Sequence, residues 1–274
     1  CHGKNACSRL GTDVFQPVIP SSGLVGWRFL QRTYDSQTEN FNQSNQLQRD
    51  TEYFRENIAS ITNAEDLVAD RRLLMVALGA FGLDDDLGNK FFIKKMLEEG
   101  TIADDALSNR FTDTRYRDMV KAFGLGPAEV TRTGIPLFTD EIIESYQTKQ
   151  FEISIGDQDS SFRIALYAQN ELSEIAGDDG SVNQKWFTIM GQPALRQLFE
   201  GALGLPSSFG QIDIDKQREI FQERAESIFG SGDPAQFKTP EAIDKLITQY
   251  LIRSQIDAIS AASPASIALI LLQS

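Results

Sequence analysis

Gly79-Ala80-Phe81-Gly82-Leu83 closes an apolar run of this chain, and two later stretches repeat its pattern: Lys121-Ala122-Phe123-Gly124-Leu125 and Gly201-Ala202-Leu203-Gly204-Leu205. We call them the first, second and third glycine motifs. A glycine adopts the left-handed conformation that follows the last turn of a helix, and the leucine behind it can fold back onto that helix. Each motif therefore predicts a helix end. Their unequal spacing does not fit a regular solenoid.

The chain around the glycine motifs follows the same helical pattern. Apolar residues at the start of the first such segment lie three or four positions apart: Leu24, Trp27, Leu30 and Tyr34. A polar stretch at residues 36–45 interrupts this pattern. Further helix starts are indicated by capping residues, first-turn acids or a following proline at Thr62, Asn89, Thr139, Ser181, Asp233, Thr239 and Ser263.

These patterns predict an all-α fold, an irregular multi-helix domain of roughly ten or more helices with no significant sheet. One segment leaves an alternative open. Residues 151–155 alternate like a strand, and Gly156-Asp157 could turn them into residues 162–164 as a hairpin. We favour two helices because apolar residues continue at helical spacing through Phe162, Ala165, Ala168, Leu172 and Ile175.

The domain organisation is predicted from prolines and glycines. Residues 1–22 form an irregular N-terminal arm in which Pro17 and Pro20 bracket two apolar residues. Residues 23–274 form a helical domain. Residues 124–136 are rich in glycine and proline and are the place where this domain would divide into two subdomains.

The charge of the chain argues against two classes of partner. The chain carries 26 basic and 39 acidic residues, which gives a formal net charge of −13. Such a surface repels the phosphate backbone of nucleic acids and anionic membranes. The longest strongly apolar stretch, residues 267–272, is also too short to cross a bilayer. We therefore expect no nucleic-acid binding and no membrane span.

The residues that usually carry catalysis or bind metals are scarce. His2 is the only histidine, and both cysteines, Cys1 and Cys7, lie in the arm. This removes histidine-based catalytic triads and metal sites from the helical domain. Asp84-Asp85-Asp86 fails the calcium-loop pattern, because Asn89 and Lys95 stand where glycine and glutamate are required. We expect a protein that is not an enzyme, with no catalytic residue, metal or cofactor.

Several sequence motifs resemble a bacterial family catalogued as a domain of unknown function, DUF1217. The resemblance rests on Asp70-Arg71-Arg72-Leu73-Leu74, on Trp186-Phe187-Thr188-Ile189-Met190-Gly191, and on residues 76–83, 89–93, 97–100, 108–110, 121–124, 150–152, 205–206 and 213–215. It spans the chain from Val18 to Leu272. The family has no known catalytic motif, so the resemblance implies no functional residues. Its members tend to be encoded among flagellar genes of alphaproteobacteria, which implies a flagellum-associated role.

Two functional hypotheses follow. The leading one is a non-enzymatic helical protein with a structural, assembly or partner-binding role, whose protein partners include flagellar components. Such a protein acts in the bacterial cytoplasm or is exported to the flagellum, and the residues leave the compartment open. The alternative is an enzyme or small-molecule-binding protein with a carboxylate-lined cleft between the two helical halves, near residues 124–136.

The two ends of the helical domain are the candidates for partner binding. Apolar residues at the N-terminal end are Leu24, Trp27, Leu30 and Tyr34, and those at the C-terminal end include Leu269 and Leu272. Two readings stay open. In one, these residues pack into the core, with a C-terminal helix after Ser263-Pro264. In the other, either end supplies a helix that docks on a partner.

Overall fold

The computed structural model describes residues 15–261 of the chain. Twelve α-helices occupy most of this range, and no β-strand is present in it. The helices are Gly23–Asn42 (α1), Asn45–Asn57 (α2), Ala64–Ala69 (α3), Arg71–Ala80 (α4), Lys90–Glu99 (α5), Thr114–Phe123 (α6), Pro136–Gly156 (α7), Ser160–Gly177 (α8), Val182–Gly191 (α9), Pro193–Leu203 (α10), Ile214–Phe229 (α11) and Pro240–Ala261 (α12). The predicted all-α, multi-helix fold is confirmed.

All three glycine motifs end a helix, as predicted. Their last glycines have left-handed backbones, with φ of +66° at Gly82, +60° at Gly124 and +65° at Gly204. In the first and third motifs the leucine N–H donates to the carbonyl five residues earlier, from Leu83 to Leu78 and from Leu205 to Glu200, both at 2.9 Å. This bond is the one that closes a helix with a Schellman motif.

The first and third motifs also begin with a glycine, and this residue lies where another helix packs closely. An added Cβ at Gly79 in α4 would lie 2.7 Å from the ring of Tyr146 in α7. An added Cβ at Gly201 in α10 would lie 2.7 Å from the ring of Tyr250 in α12. Glycine therefore allows two pairs of helices to cross closely, once in each half of the chain.

One hydrophobic core runs through the described residues. The long helix α7 packs on α2 and α4 on one side and on α8 on the other, and α8 in turn packs on α10 and α12. The core includes residues from both sides of the glycine- and proline-rich segment 124–136. Phe151 in α7 and Phe162 in α8 are fully buried in it. These segments form two helices rather than a hairpin, as expected.

Some predicted boundaries differ from the structure. The helix assigned to Thr139 begins earlier, at Pro136, because proline is well suited to the first helical position. Asn63, not Thr62, caps α3 by accepting the N–H of Asp66 at 2.9 Å. The capping box at Ser181 is present with both of its bonds. The predicted start at Ser263 lies outside the described residues.

The polar stretch at residues 36–45 breaks the helix only at residues 43–44. Within it, α1 continues to Asn42, because Gln37 and Phe41 are buried on its inner face. None of the helices in residues 15–261 combines the length and the apolar character that crossing a membrane requires.

Candidate functional site

The apolar stripe of α1 faces the core. Trp27 is 1% exposed and Leu30 is completely buried, while Leu24 and Tyr34 are partly buried against the same core. The ring of Trp27 packs 5.9 Å from that of Phe162 in α8. These four residues therefore occupy interior positions in this structure. Leu269 and Leu272, the other candidates, lie outside the described residues.

A different set of apolar side chains reaches the surface. What we call the aromatic patch consists of the contacting rings of Phe92, Phe111 and Tyr116 together with Phe91, the neighbour of Phe92 in the chain. Phe91 is 82% exposed and Phe111 is 40% exposed. The rings of Phe92, Phe111 and Tyr116 contact one another, with centroids 5.4–5.7 Å apart. Helix α5 and the stretch from Phe111 into α6 thus place aromatic rings together at the surface.

The packing of α5 and a hydrogen bond of Tyr116 fix the position of the aromatic patch. α5 turns Ile93, Met96 and Leu97 into the core, which leaves Phe91 on its outer face. The hydroxyl of Tyr116 donates to a carboxylate oxygen of Asp86 at 2.5 Å. Partial burial and this hydrogen bond raise the pKa of the Tyr116 phenol, so its hydroxyl stays protonated and keeps donating.

The first turn of α6 also borders a polar cavity of about 300 Å³. Its charged lining residues are Arg115, Lys149, Glu152 and Arg163, and its apolar ones include Ile153 and Ile164. Arg115 donates to the carbonyl of Gly82 at 2.6 Å and is paired with Asp113, the residue that caps α6. The first glycine motif and α6 are thereby tied together at the cavity wall.

Lys149 and Glu152, which line the polar cavity, belong to an ion-pair network that also includes the partly exposed Glu171. The Lys149 Nζ lies 2.6 Å from a carboxylate oxygen of Glu171 and 3.5 Å from one of Glu152. It also lies 4.2 Å from the centre of the Tyr167 ring. Burial raises the pKa of the Glu152 carboxyl, and the attraction of Lys149 opposes this shift without cancelling it. Arg115, Lys149 and Glu152, three of the charged groups that line this cavity, are thus paired within the protein.

The structure places carboxylates in a cavity between the two halves, but not beside residues 124–136. This acidic cavity of about 490 Å³ lies between α6 on one side and α8 and α9 on the other. Asp118, Glu171, Glu174 and Asp178 line it, together with Arg117 and Lys185. Burial raises the pKa of Asp118.

A more open depression lies beside residues 125–127 and is bordered by Glu65, Asp66 and Glu98. Lys94 pairs with both Glu65 and Glu98 there, so its single positive charge is shared between two of these carboxylates. Within residues 15–261, no group of three or more histidine, cysteine or acidic side chains is arranged to hold a metal ion. His2, Cys1 and Cys7 lie outside that range.

The sequence pattern did not reveal the aromatic patch. Its members come from two segments, and periodicity within one helix cannot show that they meet. The available signal was the position of Phe91, which lies two residues before Ile93, about 200° away around the helix, and so off the face that Ile93, Met96 and Leu97 bury.

Comparison with known families decides where this chain belongs. A family model described as protein of unknown function (DUF1217) matches residues 80–243, which is more than half of the chain. The chain belongs to the DUF1217 family. The matched range runs from the first glycine motif to the start of α12 and includes the aromatic patch and both cavities described above.

A solved structure shares this fold. It is the X-ray crystal structure of protein AGR_C_984 from Agrobacterium tumefaciens, a structural genomics target. The two chains superpose with a TM-score of 0.72 at 26% identity, over 88% of this chain and 99% of the other. No curated protein matches the sequence.

Proposed function

We propose that this protein is a non-enzymatic helical component of flagellar structure or assembly, and that it works by binding a protein partner. The observation that supports binding is the aromatic patch. The flagellar context comes from the DUF1217 family, whose members tend to be encoded among flagellar genes. The partner is a protein that presents apolar side chains, because rings at the surface are matched by apolar groups.

The patch has the composition of an interface centre. Aromatic residues are enriched among the side chains that dominate binding energy at protein interfaces. Burying exposed apolar surface contributes roughly 25 cal/mol for each Å² removed from water. Phe91, at 82% exposure, therefore has most of its ring available for burial by a partner. The mutual contacts of Phe92, Phe111 and Tyr116 hold the remaining rings in position before binding.

Deletion of the gene tests this proposal. We expect the deletion strain to swim poorly or to assemble defective filaments, and the intact gene supplied in trans to restore both. Electron microscopy of filaments and swimming in soft agar are the measurements. Normal motility with intact flagella would contradict the flagellar role.

A second candidate function is favoured by the acidic cavity. An enzyme or small-molecule-binding protein with a carboxylate-lined cleft would use Asp118 and Glu174 to bind a cationic ligand. The support is that these two residues come from α6 and α8, on either side of the cavity. Thermal unfolding with organic cations such as spermidine or putrescine tests it, with Asp118→Asn as the matched variant. A melting temperature that no cation raises would remove this candidate.

A further inference from the structure

One charged group of the polar cavity has no partner of opposite charge among the described residues. The other charged residues of the lining are paired, Arg115 with Asp113 and Lys149 with Glu152. Glu171, the second partner of Lys149, lines the acidic cavity instead of this one. Arg163 also lines the polar cavity, and it makes no ion pair in residues 15–261. The lining therefore carries one positive charge in excess.

Arg163 is placed so that a ligand can reach it. The residue is exposed. Its hydrocarbon stem passes close to Gly156 at the end of α7, where an added Cβ would lie 2.7 Å from the Cδ of Arg163. Asp159, four residues earlier in the chain, is bound elsewhere, because its carboxylate accepts the backbone N–H and the hydroxyl of Ser161 at 2.9 Å and 2.5 Å. The stem is thus held against α7, and the guanidinium stays available.

Two neighbours in the lining add to the positive character of the cavity. Each terminal nitrogen of Arg115 carries two N–H groups and donates one of them to Asp113 or to the carbonyl of Gly82. The Arg115 side chain is still 24% exposed. Helix α10 begins at the cavity with Pro193 and Ala194, and no side chain caps it, so the partial positive charge of its first turn is not neutralised by a cap. Both features favour an anion over a cation.

The walls of the polar cavity are apolar on several sides. Ile153 of α7, Ile164 of α8, and Pro193 and Ala194 of α10 line it. Its volume of about 300 Å³ is at the lower end of the range for small-molecule sites, which is about 300–1,000 Å³. Glu152 lines the same cavity, and its carboxylate disfavours a second negative charge on a ligand. These features suit a small molecule with one negative charge and an apolar body.

We propose that the polar cavity binds a small organic monocarboxylate, whose carboxylate pairs with the guanidinium of Arg163 and whose apolar body packs on Ile153 and Ile164. A guanidinium donates two parallel N–H bonds to a carboxylate, which fixes the orientation of the ligand. The site shares no residue with the aromatic patch, so either the partner surface or this cavity can fail its test without the other.

The test is calorimetric titration of the full chain with benzoate, benzamide and benzamidine. At neutral pH these molecules have nearly the same shape but a negative charge, no charge and a positive charge. We expect benzoate to bind saturably, and about tenfold or more tightly than benzamide, as for one hydrogen bond between charged groups. Acetate has the carboxylate without the apolar body and should bind more weakly than benzoate. This comparison needs no variant.

Variants locate the site. Arg163→Gln keeps the Cβ, Cγ and Cδ atoms beside Gly156 but removes the charge, so the affinity for benzoate should fall about tenfold. Arg163→Lys keeps the charge without the planar fork and should retain part of the affinity. Arg224→Gln is the matched control, because it removes an exposed helical arginine that does not line the cavity.

The control should bind benzoate like the wild type, and all three variants should keep the wild-type melting temperature. Failure of benzoate to saturate, benzamide or benzamidine binding as tightly as benzoate, or unchanged affinity in Arg163→Gln would overturn the proposal.

Discussion

Gly79 in α4 and Gly201 in α10 are the first residues of their motifs, and each lies where a second helix crosses closely. The second glycine motif has no glycine at this position. Tyr146 covers Gly79 and Tyr250 covers Gly201, each so closely that a Cβ would approach the ring to 2.7 Å. At the corresponding position of the second motif stands Lys121, whose side chain is exposed. The three motifs end their helices in the same way but differ in what crosses them.

This comparison shows that the first and last glycines of a motif determine different features of the structure. The last glycine and its leucine specify a helix end through local backbone conformation, whatever the neighbours are. The first glycine permits a close helix crossing, and it is required only where an aromatic ring of the crossing helix packs against it. The predictions below test that separation, beginning with the change expected to cost most.

Filling the space under the tyrosine rings should have the largest effect. Gly79→Val or Gly201→Val forces two methyl groups against a buried ring and should lower the free energy of unfolding by about 3 kcal/mol, the upper end of the usual overpacking cost. Lys121→Val is the matched control, with a cost of about 0.5 kcal/mol from helix propensity alone. Urea unfolding measures all three variants.

A double-mutant cycle sharpens this result. Tyr146→Ala should cost less in the Gly79→Val background than in the wild type, because the ring that clashes is gone. Additive effects of the two substitutions would show that the ring and the glycine do not determine the crossing together.

The helix stops should be next in size. Gly124→Ala places a methyl group on a left-handed residue and against the carbonyl oxygen of Val130, and we expect a loss of about 2 kcal/mol. Gly230 is also left-handed, with φ of +94°, but an added Cβ there meets no atom within 4 Å. Gly230→Ala should therefore cost only the conformational part, about 1 kcal/mol. Equal losses at the two glycines would contradict this account.

The two tryptophans allow a smaller test of the same kind. Trp186→Phe leaves the Gly232 carbonyl without its donor, whereas Trp27→Phe removes a donor that has no acceptor among the described residues. We expect Trp186→Phe to destabilise the protein by about 1 kcal/mol more than Trp27→Phe. Thermal unfolding of both variants measures the difference, and the reverse order would show that Trp27 is the better satisfied side chain.

Helices α7 and α12, which carry the two tyrosines, also differ in how deeply their acidic side chains are buried. This difference gives the prediction with the smallest expected effect. Glu152 of α7 is buried, whereas the acidic side chains of α12 in the described range are partly or fully exposed. Because folding raises the pKa of Glu152, its ionisation destabilises the fold. The destabilisation is absent below the ordinary glutamate pKa and grows as the pH rises through the higher pKa of the folded state.

Glu152→Gln cannot ionise. Its stability relative to the wild type should therefore increase with pH over that window, as measured by urea unfolding at several pH values. Parallel stability profiles for the two proteins would show that Lys149 fully compensates the buried carboxylate.

The sequence was most informative where structure is determined locally. Gly82, Gly124 and Gly204 were assigned as helix ends because a left-handed residue after an apolar run has few other uses. The choice of helices for residues 151–155 and 162–164 succeeded for a similar reason, since helical spacing continued beyond the ambiguous residues.

It was least informative where distant segments meet. Periodicity showed that one face of α1 is apolar, but not that α8 and α12 cover Trp27 and leave a cavity beside it. The aromatic patch joins α5, Phe111 and α6, and the acidic cavity joins α6 to α8 and α9. Such contacts depend on how helices cross, which the local patterns of the sequence do not specify.

Complementation of the deletion strain with a patch variant tests the proposed function most directly. Phe91→Ser, the patch variant, removes the most exposed ring, while Val25→Ser removes an apolar side chain that is 74% exposed but lies outside the patch. We predict that both proteins accumulate with wild-type melting temperatures, and that swimming is restored by Val25→Ser but not by the patch variant. Full swimming with the patch variant would contradict the claim that this protein works through its aromatic patch.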